Sequence, residues 1–153
     1  MGENDVSSSV EDYLEAIYIL SVEKDQFGTS DIASFLNVKL PSVTEMMEKL
    51  GERGLVDYQK YGNISLTSQG KEKAKEISQR HRDLVNFLEL LGVDEDSAQR
   101  DACKIEHVVG DETMKKLRKF LDFVEESPKD PKWLQHYQEF DETGEHPACE
   151  DVE

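Results

Sequence analysis

Residues 29–67 read TSDIASFLNVKLPSVTEMMEKLGERGLVDYQKYGNISLT, and this stretch decides the fold. Thr29 or Ser30 is placed to cap a short helix whose inward face is Ile32, Ala33 and Leu36. A tight turn over residues 37–40 follows, and Pro41 suits the first position of a second helix, where no backbone N–H is needed. Val43, Met46, Met47 and Leu50 give that helix an apolar stripe, and Gly54 closes it. Two short helices with a small turn, the second opening on Pro-Ser, have the form of a helix-turn-helix. Residues 55–60 and 64–67 then read as two strands around Tyr61-Gly62-Asn63, a β-hairpin wing. Helices followed by a hairpin specify a winged helix-turn-helix far more sharply than either half alone.

Upstream, Val10, Leu14, Ile17, Tyr18 and Ser21 share one stripe of a first helix, with Ser9 as its N-cap and Phe27-Gly28 as its break. Downstream, Thr67 caps a long helix running to about residue 91. Its apolar positions are Ile77, Leu84, Val85, Leu88 and Leu91, and Gly92 ends it. Further helices are expected over residues 94–109, 111–125 and 132–140. The fold class is therefore mainly α. A winged helix-turn-helix with a two-stranded wing occupies residues 1–75, an all-helical domain residues 76–141, and an acidic tail, expected to be mobile, residues 142–153.

With 153 residues, the chain fits one ordinary domain or two small ones that share an interface, and its 37% apolar content suffices because it falls in periodic blocks. No stretch approaches the roughly 20 apolar residues that cross a bilayer. The polar, acidic start lacks the features of a signal peptide, and Cys103 and Cys149 do not form a disulfide framework. A cytoplasmic location is expected. The net charge of −16 stands against DNA binding, because neutralising phosphates calls for basic side chains. DNA binding then has to be local to a few lysines, helped by something that offsets the acidity, such as a divalent cation. The acidity also serves solubility. No nucleophile is paired with a base and no phosphate loop is present, so an enzyme is not expected.

Three clusters carry chemistry. Asp12 and Glu15, three residues apart, share a face of the first helix. The long helix contains His81, and the next contains Cys103, Glu106 and His107, spaced so that all three project from one face. Thiolate, carboxylate and imidazole on adjacent turns can converge on a transition metal. Each residue also has a structural reading. Asp12 answers the capping geometry and dipole of its helix, Glu15 belongs to a solvated face, His81 is a surface residue beside Arg80 and Arg82, and Cys103 is a small core hydrophobe.

The run VEDYLEAIYIL, the turn KLPSVT, the segment LTSQGK, the Arg80-His81 pair and CKIEHV together resemble the diphtheria toxin repressor and manganese transport regulator family, in order and at its spacing over residues 10–124. The resemblance implies a homodimeric, metal-activated repressor of metal-uptake genes that binds palindromic, double-stranded operator DNA and dimerises through the helical domain. Fe(II) or Mn(II) would activate it, with Co(II), Ni(II) or Zn(II) as substitutes in vitro. By position, the manganese branch uses the Asp, Glu, His, Glu and His found here as Asp12, Glu15, His81, Glu106 and His107. It has a Glu where this chain has Cys103. The iron branch has a Cys there, but a Met in place of Asp12, so the site is a hybrid. The iron branch's ancillary site would match at His81, yet meets Val85 and Gln99 where acidic and His ligands are expected. A compact binuclear site sharing Glu15 and Glu106 is the expectation instead, and no SH3-like third domain is expected.

On the DNA side, Pro41, Ser42 and Thr44 open the recognition helix toward base edges, with Lys39, Lys49 and Lys60 near phosphates. Lys71 and Lys73 read equally well as solvated surface. The first turn of that helix holds no Arg, Asn or Gln, so specificity leans on thymine methyls and DNA shape. Two other functions fit parts of the sequence. One is a winged-helix regulator of redox state or an organic ligand with Cys103 as sensor, and the other a metal-binding protein that does not act on DNA. His146 and Cys149 are either an additional metal site or part of a free tail.

Overall fold

The computed structural model describes residues 8–60, 62–129 and 131–148. The chain divides into two compact units, one ending at Gln79 and the other beginning at Arg80.

In the first unit, α1 (Ser8–Glu23) is followed by α2 (Thr29–Leu36) and α3 (Leu40–Glu52). Helix α1 buries Val10, Tyr13, Leu14, Ile17 and Leu20, a 3.6-residue stripe. Tyr18 lies at the edge of that stripe, and Ser21 is exposed in the last turn, where its hydroxyl donates to the Tyr18 carbonyl at 2.6 Å. The helix already includes Ser9, which therefore does not take the expected cap position. Helix α2 is capped at Gly28 rather than at Thr29 or Ser30. The reason is Asp31, whose carboxylate reaches back to accept the Gly28 N–H at 2.9 Å and the Lys24 ammonium at 3.0 Å. Asn37, at φ 54, ends α2 in the left-handed region that Asn tolerates. Helix α3 starts at Leu40, so Pro41 takes its second position, which equally needs no N–H. Val43, Met47 and Leu50 are buried beneath it and Met46 is half-buried. Gly54, at φ 73, turns the chain out of the helix.

The wing is shorter than expected. β1 (Val56–Tyr58) pairs antiparallel with β2 (Ile64–Leu66), Val56 opposite Leu66 and Tyr58 opposite Ile64. Val56 and Ile64 point into the core while Asp57 and Ser65 are exposed, the period-2 alternation of a half-buried hairpin. In its tip, Gly62 donates to the Gln59 carbonyl at 2.7 Å, and Tyr61 lies outside the described residues. Helix α4 (Ser68–Leu90) is capped as expected: the Thr67 hydroxyl accepts the Gly70 N–H at 3.1 Å and donates to the Gly54 carbonyl at 2.6 Å. Gly70 fits there because a Cβ would stand 1.9 Å from the Leu55 carbonyl oxygen. The division between units falls within α4.

In the second unit, the rest of α4 is joined by α5 (Glu95–Ile105), α6 (Asp111–Glu125) and α7 (Lys132–Thr143). Leu84, Val85, Ala98, Ala102 and Met114 form its buried centre, with Leu88 packed beside them. Leu91, expected in the apolar stripe, is 39% exposed, since Gly92 at φ 96 turns the chain away there. Asp94 caps α5 by accepting the Ser97 N–H at 3.2 Å. Helix α5 stops four residues before the expected end, because the Val108 and Val109 N–H groups both return to the Ile105 carbonyl at 3.0 Å. Phe120 meets Phe87 edge-to-face and Trp133 at a tilt, at centroid distances of 6.2 and 5.9 Å, and the Tyr137 hydroxyl donates to the Leu91 carbonyl at 2.8 Å. Helix α7 runs to Thr143 before Gly144 ends it at φ 73, so the first residues assigned to a mobile tail are helical. Cys149 and the residues after it lie outside the described residues. Among the described residues, no helix is long and apolar enough to cross a membrane.

Candidate metal centre

Within the second unit, His81 and His107 both approach Glu106, and Cys103 approaches His81. His81 arrives from α4, and Cys103 from the last turn of α5. The early end of α5 corrects the expectation that Cys103, Glu106 and His107 share one helix face. Glu106 is the C-cap, still in the αR region, and His107 belongs to the turn beyond it. The convergence survives that change. Glu106 is 2% exposed, and its Oε2 lies 2.7 Å from His81 Nδ1. Its Oε1 lies 3.5 Å from His107 Nε2, and is buried without a hydrogen-bond partner. Cys103 Sγ stands 3.8 Å from His81 Nδ1. Cys103 is exposed, which removes the reading as a core hydrophobe, and the His81 side chain is only 15% exposed, which removes the reading as a surface residue.

A buried carboxylate oxygen left without a donor costs on the order of 1–3 kcal/mol, and more when charged. A divalent cation would supply a partner for this oxygen. The surrounding set of one thiol, two imidazoles and a carboxylate is the donor chemistry of first-row transition metals. The residues therefore fit such an ion.

Two neighbours support the cluster. Arg80, one residue before His81, donates through its guanidinium to the Val109 carbonyl and pairs with Asp111 at 3.2 Å. It thereby ties down the segment that follows His107. Gln99 Oε1 lies 2.7 Å from His81 Nε2. The sequence marks Gln99 only as a departure from a second metal site, and Arg80 only as a neighbour of His81. Neither role is written in local spacing, because each depends on what α4 meets in the fold, α5 for Gln99 and the turn before α6 for Arg80. Val85 is buried in the hydrophobic centre.

Asp12 and Glu15 belong to the first unit. They stand on α1 as expected, Asp12 exposed and Glu15 half-buried. The DNA-contact candidates also stand in this unit. Lys39, Pro41 and Ser42 are exposed at the start of α3, and Lys49 is exposed near its end. Thr44 is half-buried, its hydroxyl on the Leu40 carbonyl at 3.2 Å, and Lys60 is exposed in the wing. Leu40, at 47% exposure, adds apolar surface beside Pro41 that the sequence reading passed over.

Residues 5–64 match the family model "Iron dependent repressor, N-terminal DNA binding domain", and residues 67–135 match "Iron dependent repressor, metal binding and dimerisation domain". An uncharacterized HTH-type transcriptional regulator of Methanocaldococcus jannaschii is 42% identical over 119 residues, covering 76% of this chain and 95% of the relative. The HTH-type transcriptional regulator MntR of Bacillus subtilis is 38% identical over 130 residues, covering 85% and 92%. A solved manganese-dependent transcriptional repressor in complex with manganese superposes with a TM-score of 0.69 at 33% identity, covering 74% of this chain and 53% of that one. The chain thus spans most of these two regulators and about half of the solved repressor's chain. The chain belongs to the iron-dependent repressor family, the diphtheria toxin repressor and manganese transport regulator group of metal-dependent transcriptional repressors.

Proposed function

We propose that this protein represses metal-uptake genes when Fe(II) or Mn(II) is bound, as a homodimer on a palindromic operator. The observation that carries the reading is Glu106, whose buried Oε1 has no hydrogen-bond partner, set beside His81 and His107, with Cys103 3.8 Å from His81. Bound metal would supply positive charge and a demand for several ligands at once. His81, Cys103, Glu106 and His107 would hold it from the second unit, and Asp12 and Glu15 from α1, with Glu15 and Glu106 shared if two ions bind. Without a cation, these carboxylates repel one another and oppose any arrangement that gathers them. With one, gathering them is favoured, and α1 carries that preference into the helix-turn-helix. Residues 1–75 would then read DNA, residues 76–141 would bind metal and dimerise, and residues 142–153 would serve as an acidic tail.

At the DNA, Pro41, Ser42 and Thr44 would face base edges, and Lys39, Lys49 and Lys60 would meet phosphates. These few lysines suffice in a chain of charge −16 only if metal offsets part of the acidity near them. The test is selection of duplexes from a randomised pool with Mn(II) or with chelator. The reading expects a palindrome enriched with metal alone; equal enrichment under both conditions would overturn it.

A further inference from the structure

We infer that Gln99 is a positioning residue for the metal centre: it holds His81 so that Nδ1, and not Nε2, serves as the ligand atom. The inference rests on the functional reading above. Gln99 and Cys103 are four residues apart on α5 and so share its face, and the His81 ring lies against both. Its two nitrogens meet different chemistry. Nδ1 looks toward Glu106 Oε2 at 2.7 Å and Cys103 Sγ at 3.8 Å, while Nε2 meets Gln99 Oε1 at 2.7 Å.

An imidazole that gives one nitrogen to a metal keeps its proton on the other, and that N–H needs an acceptor. An amide oxygen accepts and cannot donate. Gln99 Oε1 therefore suits the ring when Nε2 carries a proton, while Nδ1 donates to Glu106 Oε2 in this arrangement and would offer its lone pair only once a metal takes that proton's place. The same bond occupies the nitrogen through which His81 would otherwise reach a second ion. With Val85 buried in the hydrophobic centre, a second centre built on His81 has neither an open imidazole nitrogen nor a carboxylate at that position.

The test compares the full-length protein with Gln99→Leu and Gln99→Glu. Zn(II), being diamagnetic, allows ¹⁵N-histidine NMR of the loaded protein to show which His81 nitrogen bears metal, and calorimetry gives Zn(II) and Mn(II) affinities. Expected are Nδ1 ligation with an observable Nε2–H in the wild type, and the same in Gln99→Glu, whose carboxylate also accepts. Gln99→Leu should lose that single state and bind both metals roughly 10- to 100-fold more weakly. Unchanged affinity and ligation in Gln99→Leu would overturn the inference, as would Nε2 ligation in the wild type or a Gln99→Glu variant as weak as Gln99→Leu. A wild type that binds metal this way but does not respond on DNA would overturn the functional reading alone. One that binds no metal would overturn both.

Discussion

Replacing Arg80 by Ala tests what holds the turn that carries His107. The guanidinium makes two bonds of unequal worth. Its bond to the Val109 carbonyl is charge-assisted and partly buried, a class that contributes about 1.5–3 kcal/mol. Its ion pair with Asp111 involves a carboxylate whose side chain is 82% exposed, so solvent screening leaves it about 0–1 kcal/mol. Against both stands the buried Arg80 Nε, which has no partner and whose desolvation is relieved when the side chain is removed. The carbonyl bond should win, for a net loss of about 1–2 kcal/mol in Arg80→Ala. Asp111→Asn should lose less than about 1 kcal/mol. For a chain of this size, each kcal/mol moves Tm by about 2–4 °C. Thermal unfolding followed by circular dichroism, in chelator and at one fixed protein concentration, separates the two variants. An Asp111→Asn loss equal to that of Arg80→Ala would refute the ranking, and an unshifted Arg80→Ala would refute the clamp itself.

Other consequences follow from local geometry. Gly70→Ala gains helix propensity of about 1 kcal/mol, but its Cβ would stand 1.9 Å from the Leu55 carbonyl oxygen, a backbone atom. Overpacking of this kind costs about 1–3 kcal/mol or more, so urea unfolding should show net destabilisation, and a stabilised variant would contradict the close approach. Asp31 and Asp94 lie below the usual carboxylate range, Asp31 chiefly through the Gly28 N–H and Asp94 chiefly through Ser97. Because both values are depressed by folding, each carboxylate stabilises the fold above its ordinary range and loses that contribution as pH falls through its lowered value. The stability gap between the wild type and Asp94→Ala should therefore narrow on acidification; a gap that widens would have the wrong sign.

How legible the molecule was depends on the range of the signal. The winged helix-turn-helix was readable because its cues are local: Pro41 near a helix start, Gly54 at a helix end, Thr67 at a cap and period-2 alternation around Gly62. Helix boundaries shifted wherever a side chain or turn competed with the pattern. Asp31 moved a cap to Gly28, and the bonds back to Ile105 shortened α5. The metal-binding residue types were also visible, since Cys103, Glu106 and His107 fall close in sequence. Their meeting with His81 was not, because it depends on the packing of α4 against α5. Gln99 and Arg80 were the least legible, being ordinary polar residues whose roles exist only through what they touch.

Fluorescence anisotropy on a duplex enriched by selection measures whether metal controls DNA binding. With Mn(II) or Fe(II), the protein should bind at least about tenfold more tightly than in chelator, a coupling of about 1.4 kcal/mol that one or two ligand bonds could supply. Replacing Glu106 by Ala should bring the two curves together. Equal affinity of the wild type with metal and with chelator would rule out metal control of DNA binding.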